Sequence, residues 1–340
     1  MKLCDADGVS GYEDEIRAIM KSELSKCGDT EIDLFGNVIC KMGSGAPKVM
    51  LAAHMDEIGL LVKHIDEKGF IRFIDMGGVD DDTLPASRVK IMTETGPIPA
   101  IIGFKPPHLK DAEELKKKLA LKEMYIDTGL PAEDVKKKVQ IGDAVLFESK
   151  SEAVGDMVIA KALDNRAGCA ALIEAMKALK NSGFKGTVYG VGTAQEEIGL
   201  KGARTSAHTI APDFALAIDT GIAGDVPDIN SATETDLTVG KGPAITVVES
   251  SGRGLVPCPL VKKHLLRCAR DAKIDYQLEA TKGGMTDAAI IYMSNGGVRT
   301  GGISIPTRYI HSPNSLASVK DVENAAKLVV EFVKRITEIY

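Results

Sequence analysis

The chain reads as an α/β protein: a mostly parallel central sheet with helices on both faces, interrupted by a small β-rich insert. Three observations carry that expectation. Apolar runs of strand length alternate with amphipathic helical stretches through most of the 340 residues. Several runs end directly at an acid or a histidine, and in open α/β sheets sites form outside the carboxyl ends of the strands. Between about residues 65 and 151 the rhythm changes to short runs separated by Gly, Pro and Asp, the texture of a small β domain. The expected division is residues 1–64 with 152–340 as the main body and 65–151 as the insert.

The elements follow in order. Gly8-Val9-Ser10-Gly11 is an opening turn, with Ser10 placed to cap a helix on which Ile16, Ile19 and Leu24 recur at helical spacing. Lys48-Val49-Met50-Leu51-Ala52-Ala53 is a strand ending at His54. In the insert, Gly69–Ile74, Val89–Met92 and Ala100–Gly103 are short strands. Its lysine clusters, residues 116–118 and 136–138, are interleaved with Glu and Leu and suit a solvated helix face. Asp164-Asn165-Arg166-Ala167-Gly168 then opens a helix carrying Ala171, Leu172, Ala175, Met176 and Leu179. Strands follow at Thr187–Val191, before Glu196-Glu197, and at Phe214–Ile218, before Asp219. A helix at Leu260–Ala272, a strand at Val298–Ile303 and a closing helix at Val319–Ile339, with Ser318 as its cap, complete the chain.

Composition excludes several classes of function. A formal charge of −6 gives no electrostatic case for nucleic acid or anionic membranes. No stretch approaches the ~20 apolar residues that span a bilayer, and the first residues have no apolar signal core. Six cysteines without a C-x-x-C pair read as reduced thiols in a cytoplasmic protein.

The chemistry lies at the strand ends. Two adjacent acids beside an apolar strand, Glu196 and Glu197, are costly unless paired or bound to metal. His54, Asp164, Asp219 and His311 occupy matching places. Each alone has an ordinary explanation: a core histidine, an N-cap, a turn residue before Gly221, a loop residue before Ser312-Pro313. Together, two histidines and several carboxylates form the donor set of a hydrolytic zinc or cobalt site, with manganese also compatible. If one carboxylate bridges two ions, each ion has three protein ligands and one glutamate remains as general base. Asp56, two residues beyond His54, is placed to hold the second imidazole nitrogen. Lys282 and Asp287 are candidate pocket groups; His64, His108, His208 and His264 are read as surface or core residues.

The motifs resemble those of the M42 metallo-aminopeptidases, which include glutamyl and deblocking aminopeptidases and the tetrahedral (TET) peptidases. The matching stretches are Gly8-Val9-Ser10-Gly11, Ala53-His54-Met55-Asp56-Glu57-Ile58-Gly59, Ala162-Leu163-Asp164-Asn165-Arg166 and Ala194-Gln195-Glu196-Glu197-Ile198-Gly199. Others are Ala217-Ile218-Asp219, Ala223-Gly224-Asp225, Thr286-Asp287-Ala288 and Tyr309-Ile310-His311-Ser312, so essentially the whole chain is covered. The resemblance implies a zinc-peptidase-like body, with Asp164 bridging two divalent ions. His54 with Asp219 and Glu197 with His311 would complete the two sites, Glu196 would act as base and Asp56 as support for His54. It further implies a cis peptide at Asp164-Asn165, an insert that dimerises, and homo-oligomers up to a dodecamer. The implied reaction is hydrolysis of the first peptide bond of a peptide with a free N-terminus, by a water bridging the two ions. Met285 departs from the family's Gly-Gly-Thr-Asp segment beside the substrate pocket.

Two other enzymes compete. A metal-dependent carboxypeptidase or deacylase of the same broad fold would need an arginine for the substrate carboxylate, and Arg166, Arg253, Arg299 and Arg308 lie near motifs. A glycoside hydrolase would need carboxyls facing each other at ~5–5.5 Å, whereas strand neighbours diverge; the absence of Trp also leaves little for sugar stacking. A scaffold that kept only the fold would have lost ligands, and none of the set is missing. Gly190-Val191-Gly192 lacks the third glycine of a dinucleotide fingerprint.

Overall fold

Strand Lys48–His54 lies near the middle of the sheet, and both its faces are covered. In the computed structural model, which describes residues 1–250 and 254–340, all but its first residue is buried. Val49, Leu51 and Ala53 enter one core with Ile16, Met20, Leu172, Met176, Val329 and Phe332. Met50 and Ala52 enter a second core with Ala203, Ala207, Ile210 and Ile291 on the opposite face. Period-two alternation with both faces apolar is what a strand between two helix layers requires. Helices Leu163–Leu179, Pro259–Asp271 and Val319–Lys334 form one layer; Lys201–Ile210 and Ala288–Ile291 form the other.

The sheet has eleven strands among the described residues. Its main path runs Asp29–Ile32, Val38–Gly43, Thr187–Thr193, Lys48–His54, Phe214–Ile222, Arg299–Arg308, Ser315–Ser318, Met157–Ala160, Glu152–Val154. Ala244–Glu249 branches from Arg299–Arg308 and pairs with Gln277–Thr281. The expectation of a mostly parallel sheet needs correction, because the sheet is mixed. Thr187–Thr193, Lys48–His54, Phe214–Ile222 and Arg299–Arg308 are parallel neighbours, and Ala244–Glu249 pairs in parallel with Gln277–Thr281. The other pairings are antiparallel. Several of these outer strands are joined by connections of only a few residues, too short for a crossover.

The insert is a closed barrel in the order Gly59–Ile65, Ile71–Met76, Tyr125–Asp127, Gly96–Gly103, Arg88–Thr93, Ala144–Phe147. It begins one strand earlier than the expected boundary at residue 65, because Gly59–Ile65 closes the ring against Ala144–Phe147. Its own core includes Leu60, Ile71, Leu84, Val89, Ile91, Ile126 and Val145. Closure removes the exposed edges that a short open sheet would leave.

Several local expectations change. Helix Asp14–Leu24 starts after Glu13, and Ser10 does not cap it. Ser318 holds the cap position of Val319–Lys334 without a side-chain cap bond, and a 3₁₀ turn, Ile336–Glu338, follows that helix. Lys116–Lys118 follow helix Ala112–Leu115 and Lys136–Lys138 end helix Ala132–Lys138; both clusters are exposed. No helix among the described residues is long and apolar enough to cross a membrane.

Candidate metal centre

The parallel strands deliver the first donors. His54 is the last residue of its strand, in register with Thr193, and Asp219 lies within Phe214–Ile222, in register with Ser304. Beyond Thr193 the chain turns through Gln195, which has a left-handed φ of 56°. Four successive backbone N–H groups are then taken by side chains remote in sequence. Ala194 donates to Asn37 Oδ1 at 2.9 Å and Gln195 to Glu13 Oε1 at 3.1 Å. Glu196 and Glu197 donate to the two oxygens of Asp56, at 2.9 and 3.1 Å. Ser10 Oγ adds a 2.6 Å bond to Asp56 Oδ2. Ser10 therefore buttresses the centre instead of starting a helix, a role set by a contact 46 positions away that local spacing does not reveal.

Asp164 enters from the other side. It sits at the start of Leu163–Leu179 with non-helical dihedrals, after Ala162 at φ 55°, and the Asp164-Asn165 peptide is cis. Asn165 Nδ2 donates to the Ile218 carbonyl at 2.8 Å, tying this segment to the strand that carries Asp219. His311 comes from the loop after Arg299–Arg308, at φ 58°. Beneath these groups, buried Glu57 accepts from Lys161 at 2.7 Å and lies 3.4 Å from Arg166. Glu57 and Arg166 lie inside motifs read from the sequence and Lys161 just before one, but nothing local pairs them.

All six anticipated donors meet. His54 Nε2 lies 3.1 Å from Asp164 Oδ1, 3.5 Å from Asp219 Oδ1 and 4.0 Å from Glu196 Oε2. His311 Nε2 lies 3.2 Å from Asp164 Oδ2 and 3.7 Å from Glu197 Oε2. The two oxygens of Asp164 thus face different histidines. Asp56 touches the remaining nitrogen of His54, with Nδ1 3.2 Å from its carbonyl and 3.4 Å from its carboxylate.

Burial and mutual charge govern the electrostatics. Burial alone would depress His54, but Glu196, Asp219 and Asp164 outweigh it and hold its pKa well above the ordinary value. His311 is likewise pushed down by burial, yet Asp164 and Glu197 carry it to about 9. For Asp164, burial is overcome by the two histidines, so its pKa falls well below the carboxylate range. Burial raises Glu196 strongly and Glu197 to about 8, with neighbouring acids adding to the shift. Asp287, buried against Thr193 Oγ1 at 2.5 Å, is raised to about 7 chiefly by burial. Lys282 is exposed, and Met285 is 37% exposed. Below His54, the Cys169 thiol donates to its carbonyl at 3.1 Å, and burial pushes that thiol up to about 12.

The donor set fits divalent cations. Ligands ~2.0–2.1 Å from one tetrahedral ion lie roughly 3.3 Å apart, close to most of the separations above. His54 with Glu196 and Asp219, and His54 with Asp164 and Glu197, each bring three donor atoms within 4.8 Å of one another. Glu197 Oε1 is buried without a hydrogen-bond partner among the described residues, which an ion would remedy. So many buried carboxylates around two histidines call for positive charge.

Three of the four candidate arginines are otherwise engaged among the described residues. Arg166 is buried in the Glu57 cluster, and Arg308 pairs with Asp225 at 2.5 Å. Arg299 begins its strand, at the opposite edge of the parallel sheet, over the Phe214 ring. Arg253 lies outside the described residues. Of the other histidines, His264 is buried and bonded to the Phe332 carbonyl, while His64, His108 and His208 are exposed.

Comparison with known proteins finds similar chains. The model of the M42 glutamyl aminopeptidases matches residues 36–328. A protein of Acetivibrio thermocellus named "Putative aminopeptidase" is 42% identical, over 96% of this chain and 94% of its own. The TET aminopeptidase of the marine sediment archaeon Thaumarchaeota archaeon SCGC AB-539-E09 superposes with a TM-score of 0.94 at 37% identity, over 98% of this chain and 95% of that one. The Pyrococcus horikoshii TET1 peptidase, described as assembling into a tetrahedron or a large octahedral shell, gives 0.87 at 33% identity over 98% and 97%.

Proposed function

Because the chain belongs to the M42 aminopeptidase family and is a peptide-bond hydrolase, we propose that it removes the N-terminal residue of peptides at a centre of two divalent cations. The observation that carries this reading is Asp164, whose two oxygens address His54 and His311 separately. Asp164 would join the ions, His54 and Asp219 would hold one, and Glu197 and His311 the other. Zinc, cobalt and manganese all suit such nitrogen and oxygen donors. When bound, the cations supply an activated water at neutral pH and polarise the scissile carbonyl.

The side chains do the rest. Of the three acids within 4.0 Å of His54 Nε2, Glu196 stands farthest, at 4.0 Å, which suits a base better than a ligand. Its carboxylate takes the proton of the attacking water and delivers it to the nitrogen of the departing amine. Asp56 accepts the N–H groups of both Glu196 and Glu197, so one carboxylate sets where the base and its neighbouring ligand stand. It also fixes the imidazole of His54. The substrate class is a peptide with a free N-terminus. The barrel is the candidate dimerisation unit, with Leu109 and Leu115 exposed on it, and the shells described for the TET1 peptidase support a homo-oligomer. A cytoplasmic setting completes the proposal.

The test is a panel of aminoacyl p-nitroanilides, one of them N-acetylated, assayed on metal-stripped protein after adding back each ion. Activity restored by a divalent ion and lost on acetylation is the expected result. Equal release of p-nitroaniline from the acetylated compound would overturn the requirement for a free amine, and release of acetate in its place would favour a deacylase.

A further inference from the structure

The barrel reaches the metal centre through one turn. After strand Ile71–Met76 the chain passes through Gly77 and Gly78, closed by a Val79 N–H bond to the Gly77 carbonyl at 3.0 Å. A Cβ placed on Gly78 would lie 2.6 Å from His311 Nδ1 and 2.9 Å from its Cε1. A Cβ on Gly77, whose φ is 85°, would lie 2.8 Å from Ile58 Cγ2 and 3.1 Å from Glu197 Oε2. Contacts this short leave no room for any side chain. We propose that the Gly77-Gly78 turn is a positioning element for one half of the metal centre, holding His311 from its Nδ1 side and closing over Glu197.

The chemistry of the contact supports this. The Gly78 backbone lies against the Nδ1 edge of the His311 ring. That contact leaves Nε2 as the nitrogen facing Asp164 and Glu197. Loop residue His311 otherwise has little to fix it, since its side chain is 37% exposed. His54 gains the same service from Asp56, within the main body. One ion site is thus completed by the body and the other by the insert.

The inference rests on the two-cation reading, and the test separates the two. Metal-stripped wild-type protein and Gly78→Ala are titrated calorimetrically with Zn²⁺, and the melting temperature of each metal-free protein is recorded. Gly78 has no left-handed φ to preserve, so alanine adds only the methyl group. Wild type should take up two ions; failure to do so would sink the function proposed above. Gly78→Ala should keep one ion with wild-type affinity, lose about 10–100-fold for the other, and melt with wild type. Wild-type affinity for both ions, or equal weakening of both, would overturn the positioning role. If the variant does not fold, ¹⁵N-detected imidazole spectra of zinc-loaded wild type decide. A His311 Nδ1–H protected from solvent exchange supports the contact, and a freely exchanging one refutes it.

Discussion

The two halves of the centre are built differently. His54 and Asp219 belong to parallel neighbouring strands of the mixed sheet and are 2% and 6% exposed. His311 stands on a loop with a left-handed backbone, and its side chain is 37% exposed. The buried half takes its geometry from strand register, which packing on both faces makes rigid. The open half depends on contacts between segments remote in sequence.

The strongest way to break this comparison is to remove one histidine from each half. His54 contacts Asp164 and Asp219, and belongs to both groups of converging donors. His54→Ala should abolish uptake of the ion held with Asp219, while His311→Ala should only weaken uptake of the ion held with Glu197, as counted by elemental analysis. Equal losses would mean that the halves are not distinct. Next in size, Glu196→Gln should keep both ions and lower kcat by roughly 10²–10⁴. Turnover near that of wild type would remove Glu196 from the mechanism. Smaller again, Asp56→Asn should weaken metal binding or activity by about 10–100-fold, since the amide cannot accept both glutamate N–H groups as the carboxylate does.

The smallest effect concerns the acidity around the buried half. Glu279 accepts from Ser304, which is in register with Asp219, and burial first, then Glu249 and Asp219, raises it to about 7. Its folded pKa exceeds its unfolded value, so the folded state binds the proton more tightly. Stability contributed by that proton is present below the unfolded pKa, near 4.5, and is lost as pH rises towards about 7. In metal-stripped protein, Glu279→Gln should melt with wild type near pH 4.5 and above it at pH 8. The gain should be about 1–2 °C for each kcal/mol recovered in a chain of 340 residues. A pH-independent difference would show that Glu279 is not protonated in the fold.

Legibility followed the same division. His54, Glu196-Glu197 and Asp219 could be found because an apolar run ends at, or just before, each of them, and a buried run that stops at an acid needs a reason. The barrel was visible as a change of texture, but its closure depends on Gly59–Ile65 meeting Ala144–Phe147, a pairing without local signature. Ser10 was misread as a cap because serine before a helix is usually one; its true partner, Asp56, is distant. The antiparallel flanks were overlooked because alternation in a strand does not encode the direction of its neighbour. Strands Ala244–Glu249 and Gln277–Thr281 went unread for the same want of a local marker. Gly77 and Gly78 look like any turn until His311 is placed against them.

The thiol beneath His54 has a practical consequence. With a pKa near 12 and its sulfur packed against the imidazole's own backbone, Cys169 holds almost no thiolate at neutral pH. Alkylating reagents and mild oxidants therefore find no nucleophile at the heart of the enzyme. Inactivation by iodoacetamide would have to begin elsewhere, and a preparation handled in air should keep its catalytic floor intact.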